Sequence, residues 1–204
     1  MNRSYFVALI ATFVSACGGG GGGSDYGGNP DPVVSTPPVS FVITGTVPAF
    51  LDQGTVISLS LSGETFSTTT DAQGRYELEV SGGIGESQFV VVTAQGQDSQ
   101  DYIEFKSVLG QGSALKSLAG SDNTLTVDEY AATHISEMTT AAAGLAMIER
   151  NGVMAGSADT WRVAALNINA EELLIASSAM RLAIKDPDMR SVMIPDGTTT
   201  MDFT

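Results

Sequence analysis

In three stretches between residues 41 and 80 apolar side chains recur at every second position, and this period of two constrains the fold more than any other feature of the chain. Phe41, Ile43 and the following Gly45-Thr46-Val47 read as one strand, and residues 56–61 place Ile57, Leu59 and Leu61 on one face of another. A threonine-rich strand over 65–70 is followed by Asp71-Ala72-Gln73-Gly74, residues suited to a turn, and then by 75–80 with Tyr76, Leu78 and Val80 alternating. These two strands are predicted to form a hairpin across the turn. The continuous apolar run 88–93 fits a strand covered on both faces, whereas 101–109 alternates less cleanly through Tyr102, Phe105 and Val108. One-faced strands need a partner sheet, so the expectation is a mainly β chain with a small sandwich over 39–110.

Residues 111–204 change period and read as a mixed, mainly helical C-terminal region. An alanine-rich helix is expected from about Thr139 to Arg150, with Ala142, Leu145, Ala146 and Ile148 near one side and Asn151-Gly152 stopping it. A short helix follows over 159–166. Asn169 with Glu172 three positions on marks the start of a longer helix, which runs to about Lys185 and ends at Asp186-Pro187. Leu173, Ser177, Met180 and Ile184 form its stripe, widened by Leu174 and Leu182, so it is expected to lie on another apolar surface. The chain closes on Asp202-Phe203-Thr204 without a terminating motif, the expectation for a piece of something longer.

The first 16 residues follow a different logic. Arg3 precedes an apolar stretch over 5–14, and the small residues Ser15 and Ala16 stand directly before Cys17. The stretch is far shorter than the roughly 20 residues that span a bilayer, so it reads as a signal peptide. Val14-Ser15-Ala16-Cys17 resembles the bacterial lipobox. That resemblance implies diacylglycerol on the Cys17 sulfur, cleavage between Ala16 and Cys17, and acylation, commonly palmitate, of the new amino group. Two or more chains anchor a protein stably without a basic patch, so the implied partner is a membrane. Gly18 beside the cysteine, with no aspartate there, implies sorting to the outer membrane of a Gram-negative cell. Residues 17–38, with a glycine run at 18–23 and prolines at 30, 32, 37 and 38, form a tether. Some 20 such residues reach roughly 25 Å on average and about 70 Å when stretched. The glycines are not a phosphate loop, since no strand precedes them and no Gly-Lys-Ser/Thr follows.

Within the β region, Thr44-Gly45-Thr46-Val47, Gly54-Thr55-Val56-Ile57-Ser58-Leu59 and Thr70-Asp71-Ala72-Gln73-Gly74-Arg75-Tyr76-Glu77-Leu78 resemble the carboxypeptidase regulatory-like, prealbumin-like β-sandwich domain. The resemblance covers roughly residues 40–95. It implies a hairpin at Asp71–Gly74 with the tyrosine packing inward, and an architectural motif without catalysis.

The chain carries 23 acidic residues against nine Lys and Arg, a net charge of -14, and its basic residues are scattered singly. Such a surface repels phosphate, which excludes a nucleic-acid partner. The lone cysteine forbids an intramolecular disulfide. His134 is the sole histidine, and with Glu137 it could form an acid–base pair, yet no Gly-x-Ser-x-Gly elbow accompanies it and a structural role is the better expectation. Asp71 reads as a turn residue; Asp122, Asp128 and Glu129 as a polar loop; Glu171 and Glu172 as residues favoured at a helix start. Trp161, Tyr26 and Tyr102 could stack on a sugar, but the lone tryptophan beside a capping motif reads better as a core anchor. No catalytic residue, cofactor or metal is assigned. The sequence therefore predicts a non-enzymatic envelope lipoprotein that binds or assembles, with an envelope protein or glycan as partner. The alternative is a periplasmic or surface hydrolase whose catalytic part lies elsewhere.

Overall fold

The computed structural model describes residues 40–202. The expected signal peptide, the expected lipidation site Cys17, the expected tether and Tyr26 lie outside the described residues.

Among the described residues, seven strands form two mostly antiparallel sheets, and five α-helices accompany them. The strands are β1 Phe41–Thr46, β2 Val56–Leu61, β3 Glu64–Thr69, β4 Arg75–Val80, β5 Phe89–Gln95, β6 Glu104–Gln111 and β7 Thr124–Leu125. The helices are α1 Gly112–Ala119, α2 Glu137–Ile148, α3 Ala158–Asn167, α4 Ala170–Lys185 and α5 Pro187–Met193. One sheet has the order β4-β1-β7 and the other β3-β2-β5-β6. Alternation places Ile43 and Leu78 from the first sheet, and Ile57, Leu59, Val92 and Phe105 from the second, in one buried cluster. Complete burial of each such side chain stabilises by roughly 1.5–3 kcal/mol, an upper figure because unfolded chains already hide some surface.

The pairing differs from the expected hairpin. β3 pairs with β2 across the tight Ser62-Gly63 turn, in which both residues have positive φ, while β4 pairs with β1. The Asp71–Gly74 turn therefore carries the chain from one sheet to the other. Its chemistry is that of a turn in either case: Asp71 Oδ1 accepts from the amides of Gln73 and Arg75 at 2.9 and 2.8 Å.

The uneven alternation around β6 has a local cause. Val90 pairs with Gly110 and Val91 with Val108, so the register shifts and Leu109 faces no residue of β5. Val108 is buried on the side where α2 packs, and Leu109 enters the core, which leaves consecutive buried positions.

Residues beyond 110 complete the same core. β7 runs parallel to β1, Thr46 forms a parallel bridge with His134, and Leu115, Leu125, Ile135 and Met180 join the buried cluster. α2 begins at Glu137, two residues before the expected start, because Ser136 and Thr139 cap it reciprocally. Its buried side carries Ala141, Ala143, Gly144 and Ala146, whereas Ile148 of the expected stripe is exposed. α4 matches its expected span, with the Asn169 side chain accepting from the Glu171 amide. It buries Ser177, Met180 and Ala183 and leaves Leu174 and Leu182 exposed. Asp186-Pro187 ends it and also opens α5, Asp186 as cap and Pro187 in the first turn.

Candidate functional site

Two open clefts are built on the outward faces of the sheets. The first, of about 530 Å³, lies where the chain crosses between sheets. Thr44 and Thr46 from the outward face of β1, Thr68 and Thr69 at the end of β3, Thr126, and the Asp71–Arg75 ion pair line it. Arg75 Nε stands 2.9 Å from Asp71 Oδ2. Backbone donation from Arg75, foremost, with its guanidinium, holds the Asp71 carboxyl below the usual carboxylate range. The walls offer hydroxyls, the carboxylates of Asp71 and Glu77 and a guanidinium, a set that hydrogen-bonds polar ligands, while the aromatic ring among them, Tyr76, is buried.

The second cleft, of about 480 Å³, lies on the outer face of the other sheet. Ser58 and Ser60 of β2 and Phe89, Val91 and Thr93 of β5 form its floor, with Met147 of α2 and Met154 as one wall. Alternation explains why this face is mixed: the inward partners of these residues are the core Leu59, Val90 and Val92. Lys106, paired with Glu104, stands at its rim.

The candidate pair His134 and Glu137 has separate commitments. His134 Nδ1 and Thr46 Oγ1 share a hydrogen bond of 2.6 Å, and the neighbouring Ile135 amide donates to Thr46 O at 2.9 Å. The imidazole thus fastens residues 134–135 alongside β1. Glu137 is buried at the first turn of α2, where the helix dipole favours its charge, and Arg181 Nε of α4 lies 3.2 Å from its Oε1. The carboxylate ties α2 to α4.

Three further candidates, Asp122, Glu129 and Tyr102, are likewise occupied. Asp122 Oδ1 accepts from the Thr124 amide, and Glu129 Oε2 accepts from the amide and hydroxyl of Thr126. Glu171 and Glu172 stand in the first turn of α4. Tyr102 packs at the edge of the core with the Arg190 guanidinium 4.8 Å from its ring centroid, so that ring face is covered. Trp161 is half-buried on α3. Among the described residues no three His, Cys, Asp or Glu side chains gather as a metal site would require. In the sequence the threonines of the first cleft pointed to fold alone; alternation along β1 marks Thr44 and Thr46 as one outward face.

Comparison with protein-family models, with curated proteins and with solved structures finds no match.

Proposed function

We propose that this chain is a non-enzymatic lipoprotein of the bacterial cell envelope, held on the outer membrane through acyl chains on Cys17 and acting as a binding or assembly module. The observation that carries this reading is the sequence Val14-Ser15-Ala16-Cys17 at the end of a short apolar stretch, followed at once by a glycine run. The two sheets sharing one core are read as a small immunoglobulin- or prealbumin-like sandwich, with Tyr76 turned inward as the resemblance implies and the Asp71–Gly74 turn departing from it. A binding role draws support from the two clefts, which present hydroxyls on one face and methionines with Phe89 on the other. A polar glycan chain or an extended segment of an envelope protein is the class of partner those walls suit. The pair His134 and Glu137, weighed above as acid and base, is held in architectural contacts, His134 with Thr46 and Glu137 with Arg181.

Intact-mass measurement and membrane fractionation of the wild type and of Cys17→Ala test the anchor. The wild type is expected in the membrane fraction with the added mass of acyl chains and without residues 1–16; the variant is expected unacylated. An unmodified Cys17 and identical fractionation of the two would overturn the reading.

A further inference from the structure

We propose that the outward face of α4 is a contact surface between two copies of this chain, packed antiparallel about a two-fold axis at Ser178. The inference does not rest on the fate of Cys17.

The side of α4 turned to the protein carries Ser177, Met180 and Ala183, all buried. The opposite side should be polar if it met only water. Instead Leu174, Ile175 and Leu182 stand there 59%, 60% and 47% exposed. At 100° per residue, Glu171, Leu174, Ser178, Leu182 and Lys185 fall within an arc of about 80°. These five residues therefore form a single stripe along the helix.

The stripe is complementary to its own reverse. Turning a second α4 about Ser178 sets Glu171 against Lys185 and Leu174 against Leu182, and each contact occurs twice, as a two-fold interface requires. Ser178, small and exposed, sits where the two helices come closest. Ile175, about 60° round the helix from Ser178 on the side of Leu182, then lies beside the second copy's Leu182 and widens the apolar contact. Antiparallel helices also bring opposite dipole ends together.

Charge selects the same face and the same occupant. Residues 158–193 hold four cations and five acids, whereas residues 40–157 hold four cations and fourteen acids. Two strongly acidic copies meet with least repulsion through the nearly neutral helical side. A cationic partner would be drawn to the acidic part instead, and an anionic lipid surface offers nothing to Glu171 and Glu172.

The test uses the full chain carrying Cys17→Ala, which removes any association through lipid. Sedimentation velocity in mild detergent across a concentration series is expected to show a monomer–dimer equilibrium. Leu174→Asp should weaken it by about tenfold or more, the effect of burying a charge at a helix contact. Glu171→Lys should weaken it, and adding Lys185→Glu should restore it. Under mild oxidation, Ser178→Cys should cross-link faster than Ser67→Cys on the exposed strand β3. A chain monomeric at every concentration, equal cross-linking at the two positions, or a double charge reversal no better than the single one would each overturn the proposal. Loss of binding to phosphatidylglycerol vesicles by Leu174→Asp, at unchanged mass, would do the same. Should Leu174→Asp lose its folded circular dichroism, the charge reversals and the cross-linking rates decide.

Discussion

Gly45 and Tyr76 face each other across β1 and β4, and together they hold residues far apart in the chain. The Tyr76 hydroxyl donates to Thr133 O at 2.7 Å, and the phenol ring lies over the glycine. A Cβ at position 45 would stand 2.6 Å from Tyr76 Oη and closer still to Thr133 O, which is backbone and cannot swing away. Gly45→Ala should therefore destabilise by about 2–4 kcal/mol in urea unfolding, at or above the upper range of core overpacking. Tyr76→Phe orphans the Thr133 carbonyl and should cost about 1–3 kcal/mol at pH 7. The same variant has a pH signature. Burial pushes the Tyr76 phenol above its ordinary value of about 10, so the fold prefers the neutral form. That stabilisation is whole below pH 10 and is lost as pH rises beyond it. Tyr76→Phe should show a shallower fall in urea midpoint between pH 9 and 11 than the wild type, with Tyr130, also raised by burial, supplying what remains. Equal slopes for the two proteins would refute this account.

At the scale of elements, the edge of β6 shows how hydroxyls replace a missing strand. Thr200 Oγ1 accepts from the Glu104 amide at 3.0 Å and donates to the Glu104 carbonyl at 2.6 Å. Thr140 Oγ1 accepts from the Lys106 amide at 3.0 Å, and its proton points between Ser136 O at 2.7 Å and Lys106 O at 3.3 Å. Two threonines from distant segments thus close alternate rungs of an edge that would otherwise invite another chain. Thr140→Val keeps the shape and orphans the Lys106 amide, so about 1–3 kcal/mol should be lost, with faster amide exchange at Lys106; Thr200→Val should orphan both groups of Glu104. Nothing near Thr140 or Thr200 in the sequence announces these contacts, because the partner is 34 or 96 positions away. Legibility follows that divide. Alternation marked most of the strands, and Asn169 with Asp186-Pro187 marked both ends of α4, since these signals act within a few residues. Strand pairing was not legible: Asp71-Ala72-Gln73-Gly74 makes the same turn whether the next strand pairs back or crosses to another sheet. The start of α5 was missed for a related reason, as Asp-Pro both stops one helix and begins the next. Of the candidate site, the turn role of Asp71 was readable, and the bond between His134 and Thr46, 88 positions apart, was not.

For the whole molecule, the net charge of -14 and the pairing proposed for α4 act against each other, and ionic strength decides between them. Each dimer would gain two exposed Glu171–Lys185 pairs, worth about 0.2–1 kcal/mol apiece, and Lys185 already lies 5.7 Å from the Phe50 ring centroid, which lowers that gain. Opposing them is repulsion among the many carboxylates of residues 40–157, spread over distances longer than one contact. At 0.01 M salt the screening length is about 30 Å and these charges act across the dimer; at 0.15 M it is about 8 Å and mostly near neighbours remain. The close pairs lose little over that range, while the diffuse repulsion loses most of its strength. Association should therefore be tighter at 0.15 M than at 0.01 M salt, the reverse of a contact held by ion pairs alone. Sedimentation equilibrium at the two salt concentrations measures the difference directly. Weaker association at 0.15 M would mean that local charge pairs, and not the leucines of α4, hold the two copies together.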